Sequence, residues 1–162
     1  VLWLTLTMRW RDDKENQIKC ERVNLKSCGL NFVPTEKAGD QKLQFSLNCR
    51  VFENLLLSEL QIRMVNDFPE NDQFSQVLQF QMVGVFSSGK AVSKENLGNF
   101  GKHYTLSILW PYAREFSQDL LQRTGFSWKC LPIVNAQETT KEMIENNSIT
   151  VEFTGSQANQ VS

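Results

Sequence analysis

The sequence has a single histidine, His103, and four cysteines, Cys20, Cys28, Cys49 and Cys130, with no CxxC spacing among them. A zinc site of the usual kind needs four nitrogen or sulfur ligands, typically in closely spaced pairs, so no metal centre is expected. The lone imidazole leaves little for general-base chemistry, and His103 reads as an exposed or capping residue ahead of a helix. The cysteines read as buried free thiols of a reducing compartment. Neither charge is in surplus. Lys and Arg number 17 against 18 Asp and Glu, for a formal net charge of -1. With no basic run and a pI near 5.9, a nucleic-acid partner is not expected.

Long apolar runs are also missing. None approaches the roughly 20 residues needed to cross a bilayer, so membrane insertion is not expected. The opening VLWLTLTMRWR is apolar for only a few residues and has no basic stretch before them, which makes a poor signal peptide. Residues 1–16 read as an extra strand or as a translated leader ahead of a start at Met8. A cytoplasmic location is the default. GVFSSGK, Gly84 to Lys90, faintly echoes a phosphate loop but lacks its spacing, and Ala91 stands where the hydroxyl should be. The acidic clusters Asp12-Asp13 and Asp67 to Asp72 have no EF-hand pattern. No cofactor and no enzymatic activity are expected.

What is present is alternation. In KLQFSLNCRV, Leu43, Phe45, Leu47, Cys49 and Val51 alternate with Lys42, Gln44, Ser46, Asn48 and Arg50. Period two places the apolar set on one face of a strand and the polar set on the other. SELQIRMVN repeats the pattern with Leu60, Ile62 and Met64 inward, and FSQVLQFQMVGVF with Leu78, Phe80 and Met82. Upstream, Ile18 and Cys20 share a phase, Val23 and Leu25 take the other, and Cys28, Leu30 and Phe32 return to the first. Such a change of phase predicts a bulge or bend. Four long strands in succession predict an antiparallel meander, apolar on one face.

Helix is expected only after Gly89. Pro111 suits a first turn, where its missing N–H costs nothing, and Gly125 suits the position just past the end. Between them Tyr112, Ala113, Phe116, Leu120 and Leu121 share a face, while Arg114, Glu115, Gln118, Asp119 and Gln122 share the other. Leu97 to Leu109 is a loop or short helix leading in. Ala136 to Asn147 reads as a second helix anchored by Met143 and Ile144, Ser148 to Phe153 as a strand, and residues 154–162 as a flexible tail. The fold class is α+β, one domain over residues 1–162, with about four long strands in an antiparallel meander sheet.

Apolar residues also crowd the connections. Phe52, Leu55, Leu56 and Leu57 occupy a strand junction where polar turn residues would be usual, and Trp110, Phe126 and Trp128 bracket the helix. These side chains either complete a small core or line a groove for a partner.

The order of meander strands, then Leu109 to Glu115 (LWPYARE), then Arg123, Gly125 and Phe126, then LPIVN at Leu131 to Asn135 resembles the SecB family of protein-export chaperones. The step Gly84-Val85-Phe86 at the end of a strand is similar to that family as well. The resemblance implies an ATP-independent chaperone that binds unfolded precursor polypeptides and keeps them soluble or export-competent. It implies a four-stranded antiparallel meander sheet with helices packed on one face, and a homotetramer, a dimer of dimers, with Tyr112, Phe116 and Leu120 of the proline-headed helix at the interface. Phe52, Leu55, Leu56, Leu57, Trp110, Phe126 and Trp128 would then line the client groove. Export members of the family present acidic residues on the outer sheet face to the SecA motor, whereas Lys26, Gln79 and Gln81 stand at such positions here. Some relatives are dedicated chaperones of toxin–antitoxin systems, which supplies an antitoxin as a second candidate partner. An adaptor subunit that binds one folded partner is the alternative from another class.

Overall fold

The computed structural model describes residues 17–31, 40–67, 76–124 and 131–154. Four long strands come first: β1 (Ile18–Asn31), β2 (Asp40–Phe52), β3 (Leu55–Asp67) and β4 (Gln76–Ser88). They are followed by α1 (Lys94–Thr124), α2 (Ala136–Glu145) and β5 (Ile149–Phe153). All the strands join one five-stranded sheet in the order β1-β4-β3-β2-β5.

The expected meander exists from β2 to β4. The expectation is corrected at both ends. β1 lies beside β4 rather than β2, which makes the four long strands a Greek key. The sheet has five strands, not four, because β5 adds itself parallel to β2. The β2–β3 link is a two-residue turn, and sequence order alone favoured antiparallel neighbours. Where a separated strand docks is decided by long-range pairing that sequence order does not encode. The Ser148–Phe153 strand reaches its place because Leu47 N donates to Ser148 O, and Thr154 N to Val51 O, each at 2.9 Å.

β1 shows why its phase wanders. Its pairing with β4 slips by one residue between Cys20 and Arg22, and again between Leu25 and Ser27. After both slips Ile18, Cys20, Val23, Leu25, Cys28 and Leu30 stand opposite the inward positions of β4, from Ser88 to Leu78. The extra residues Glu21 and Lys26 reach polar partners instead: Glu21 accepts from Ser87, and Lys26 donates to Glu59 at 2.9 Å.

The larger correction concerns α1. It runs 31 residues from Lys94, with Pro111 in its interior rather than at its head. Its buried ridge is every fourth residue: Leu97, Gly101, Thr105, Leu109, Ala113, Ser117 and Leu121. This is one of the helix-surface rows that pack against a neighbouring layer. Four of those residues, Gly101, Thr105, Ala113 and Ser117, carry no large apolar side chain, so the row is nearly invisible to hydrophobic periodicity. An interior proline forfeits one backbone hydrogen bond, here to the carbonyl of Ser107, at roughly 3 kcal/mol. Pro111 and Ser107 both face solvent, where water can satisfy that carbonyl, and burial of Leu109, Trp110 and Ala113 offsets the remainder.

The small residues set the distance between helix and sheet. A Cβ on Gly101 would stand 3.1 Å from both Cys49 Sγ and Leu56 Cδ1, and one on Gly98 would stand 2.8 Å from the Phe153 ring. On the sheet side, a Cβ on Gly84 would lie 2.7 Å from Phe86 and 2.9 Å from Leu109. The core thus formed takes Leu47, Cys49, Val51, Leu56, Leu60, Ile62, Met64, Leu78 and Phe86 from the sheet, all at 1% exposure or less.

Gly84→Ala should therefore lower unfolding stability in denaturant titration by about 1–3 kcal/mol through overpacking. Gly29→Ala should stay within about 0.5 kcal/mol, since the nearest atom to an added Cβ there is Gln79 Cγ at an ordinary 3.6 Å. Equal effects at the two glycines would show that the Leu109 contact does not limit the approach of the helix.

Candidate functional site

The LWPYARE segment acts as a clamp. Leu109 fills the space over Gly84, Trp110 packs its ring 5.2 Å from that of Phe45, and its indole N–H donates to Pro132 O at 3.1 Å. One turn on, Arg114 Nε donates to Leu131 O at 3.0 Å. Two consecutive carbonyls of the LPIVN segment are thereby tied to α1. Three residues later Asn135 caps α2, its side chain accepting from Gln137 N and Glu138 N. Arg114 is committed to a backbone carbonyl and Glu115 is exposed, so the pair forms no charge relay.

The outer face of the sheet, away from α1, carries an apolar patch near the β2–β3 turn. Phe52 pairs with Leu55, Leu57 with Val85, and Val83 lies one row along, opposite Glu59. Leu55 is 41% exposed. Beside the patch sits Glu59, only 7% exposed. It accepts from Lys26 at 2.9 Å, from Arg50, and from Gln81 Nε2 at 3.1 Å. Burial works to raise its pKa, but the hydrogen bond from Lys26 and the charges of Arg50 and Lys26 outweigh it. The carboxyl is held below its ordinary 4.5. Farther along the same face, Ser27, Gln44, Gln61, Arg63, Gln79 and Gln81 border a shallow polar hollow of about 520 Å³.

The inner face is covered unevenly. α1 lies over the middle of the sheet and leaves the later inward side chains of β1 open, with Leu25 at 42% and Leu30 at 39% exposure, whereas Ile18, Cys20 and Val23 are half-buried against the core. A second ridge of α1 borders this opening. Phe100 meets Phe86 at 5.6 Å and stacks on Tyr104 at 5.7 Å, and farther down Phe116 meets Phe80 at 5.0 Å. Tyr104 is 59% exposed.

The seven candidate groove residues do not form one groove. Phe52, Leu55 and Leu57 are on the outer face. Leu56 is on the opposite face with no exposure, under Gly101, and Trp110 is 4% exposed. Alternation in a strand forces this separation, since neighbours in sequence point to opposite faces. Leu56 and Trp110 are core residues. Phe126 and Trp128 lie outside the described residues, as do the Gly125 cap, the 1–16 segment and residues 155–162. Of the interface candidates, Tyr112, Phe116 and Leu120 are half-buried on the second ridge, against the chain's own core. Of the cysteines expected to be buried, Cys130 lies outside the described residues; Cys49 is buried, but Cys20 is half-buried and Cys28 is exposed on the uncovered part of β1. Burial pushes all three thiols up, away from the reactive thiolate. Among the described residues no group of His, Cys, Asp or Glu is placed to hold a metal ion, and no helix is long and apolar enough to cross a membrane.

Sequence reasoning missed Phe100, Tyr104, Val83, Val85 and the partnership of Arg50 with Glu59. Phe100 and Tyr104 are four apart in a stretch that gave no clear period. Val83 and Val85 continue the outward phase of Gln79 and Gln81, and that switch from amide to valine was the available signal.

No family model and no curated protein matches the sequence. Among solved structures, a SecB-like chaperone of Mycobacterium tuberculosis in complex with a ChAD peptide from an antitoxin matches with a TM-score of 0.61. The match covers 73% of this chain and 88% of that one at 15% identity. The fold is SecB-like. Within the SecB-like frame the clamp explains the sequence resemblance: Leu109, Trp110, Ala113 and Arg114 fix the segment that follows the helix, and none of them presents reactive chemistry.

Glu59 gives this surface a measurable signature. A carboxyl whose folded pKa lies below its unfolded pKa stabilises the fold above the unfolded value and loses that contribution as pH falls through the folded one. Glu59→Gln should cost about 1–3 kcal/mol near neutral pH. Its deficit relative to the parent chain should shrink as titrations move from about pH 5 to about pH 3. A deficit constant across that range would mean that Glu59 is not held ionised.

Proposed function

We propose that this chain is an ATP-independent molecular chaperone that binds unfolded polypeptides and keeps them soluble, in the manner the SecB-like fold implies. The observation that carries the reading is apolar surface left open on both sides of a SecB-like sheet. An unfolded chain offers a holding protein only backbone and scattered apolar side chains. Removing apolar area from water is favourable by about 25 cal/mol per Å² whatever the order of residues, so such surfaces bind broadly. The reading places clients on the outer patch of Phe52, Leu55 and Leu57, with Val83 and Val85, and the activity in the cytoplasm.

The open inner strip has a different use in this reading. Leu25 and Leu30 of β1, with the α1 ridge that includes Tyr104, Tyr112, Phe116 and Leu120, are covered by further copies of the chain in a homotetramer. A second reading, that of a dedicated chaperone for an antitoxin, draws on the structural neighbour, which holds an antitoxin peptide. Delivery to SecA has less support, because the outer face offers basic and amide groups, and its central acid, Glu59, is already occupied by Lys26, Arg50 and Gln81.

Leu57→Ser should weaken suppression of aggregation for several unrelated denatured proteins, without added nucleotide, and leave the melting temperature nearly unchanged. Leu56→Ser should lower stability by about 2–5 kcal/mol as a core truncation. Loss of stability in both variants, or suppression that requires ATP, would defeat the proposal. An adaptor for one folded partner would suppress none of these aggregations. For assembly, light scattering at micromolar concentration should give the mass of four chains, and a stable monomer would refute the tetramer.

A further inference from the structure

The outer patch is bracketed by positive charge. One row across the sheet reads Arg22, Val85, Leu57, Arg50, each residue paired with the next. Strands in a sheet lie about 4.8 Å apart, so the two arginine backbones are about 14 Å apart with two apolar residues between them. The next row toward the turn reads Lys19, Ser87, Leu55, Phe52. Lys26 stands on the other side, at the second register slip of β1.

Two of the acids beside the patch, Glu21 and Glu59, are engaged within the face itself. Glu21 accepts from Lys19 and Ser87. Glu59 is nearly buried and divided among Lys26, Arg50 and Gln81. Glu152 of β5 extends the row beyond Arg50 and lies at its far rim. The Arg22 side chain is exposed, and its guanidinium has no hydrogen bond or ion pair with any described residue. Arg50 Nε is buried without a partner. The patch therefore has apolar anchors at its centre and an uncommitted cation on one flank. On the other flank is a second cation, Arg50, which is half-buried and ion-paired with Glu59. The chain as a whole carries a net charge of -1, so this local balance is not a property of the entire surface.

We propose that the outer patch selects acidic amphipathic polypeptide segments, with apolar side chains on Leu57 and Val85 and carboxylates toward Arg22 and Arg50. An α-helix with its side chains is about 10–12 Å across, so carboxylates on either side of its apolar stripe would fall near the two guanidiniums. Complementary rim charges set preference and association rate more than they set total affinity. The inference rests on the reading of this patch as the client surface.

The test uses the full chain and three fluorescein-labelled peptides that share one leucine stripe and differ only in flanking residues: glutamate, glutamine or lysine. Anisotropy titrations at low salt should rank them Glu, Gln, Lys, with about tenfold between the extremes. Raising salt to about 0.5 M should compress the ranking, since exposed charges are then screened. Arg22→Glu should remove the preference for the glutamate peptide while the glutamine peptide binds as before. Arg22→Gln, which cannot repel, should give an intermediate ranking, and both variants should melt with the parent because Arg22 is exposed and unpaired. Equal binding of all three peptides would overturn charge selection and leave the client surface standing. Displacement of the glutamate peptide by a single-stranded RNA oligonucleotide more effectively than by unlabelled peptide would overturn it in favour of a nucleic-acid ligand. Failure of every peptide to bind, together with a Leu57→Ser variant that still suppresses aggregation, would remove the client surface and this inference with it.

Discussion

The contact on which the rest depends is the close approach of α1 to the sheet through small residues. Gly98 and Gly101 on the helix, and Gly84 on β4, leave no room for a Cβ without moving a ring, a sulfur or a leucine. Only at that distance can Leu97, Leu109 and Leu121 reach the strand side chains below. The same geometry limits what one helix can shield. At any point along its length a helix about 10–12 Å across covers roughly two strands spaced about 4.8 Å apart, and α1 crosses from β5 at Gly98 to β4 at Leu109. Its path therefore leaves the later part of the inner row of β1 open. The exposed Leu25 and Leu30 follow from the layer arithmetic and need no separate cause.

A second consequence runs through the clamp. Because α1 is held against the sheet, Trp110 and Arg114 are fixed, and with them the carbonyls of Leu131 and Pro132. That fixes where Asn135 starts α2, and α2 delivers the chain to β5. β5 then closes the edge of β2, and its last residue, Phe153, lies against Gly98 at the start of the helix. Helix, clamp, cap and edge strand form a circuit in which each member positions the next. A residue such as Arg114 can therefore mark the fold strongly in sequence while touching no ligand.

The parts of this arrangement that were legible in the sequence are those in which one residue type repeats at one spacing. Leu43 to Val51 gave β2 its inner face, and the changes of phase at Cys20–Val23 and Leu25–Cys28 gave β1 its two slips. The string from Leu109 to Glu115 carried the family resemblance. What could not be read had a physical reason each time. The first half of α1 packs through Gly101 and Thr105, and Thr105 turns its hydroxyl back to the Gly101 carbonyl, so the buried row contains little that is apolar. Pro111 then looked like a beginning, since a proline is cheapest in a first turn. The placement of β1 beside β4 depends on long-range pairing that no local spacing encodes. Leu55, Leu56 and Leu57 read as one apolar cluster, although a strand divides them between two faces.

That division has a functional edge. A sheet covered on one side ordinarily keeps its outer face polar, and most of this one is: Gln44, Gln61, Gln79 and Gln81 are side chains that water solvates well. The alternation breaks near the β2–β3 turn, where Val83, Val85, Leu55 and Leu57 face outward with no layer above them among the described residues. Such residues weaken solubility if left alone, and the protein sets charges around them rather than covering them. Glu59 could have neutralised those charges from an exposed position. Instead it is drawn into the face and saturated, so it anchors Lys26 and Arg50 without offering an acid to anything outside. On the reading proposed above, such a surface would attract apolar side chains without regard to sequence and add a bias by charge. Discrimination of that kind is a small difference laid over a broad affinity. A protein that must hold many chains, and still favour some of them, can work with no more than that.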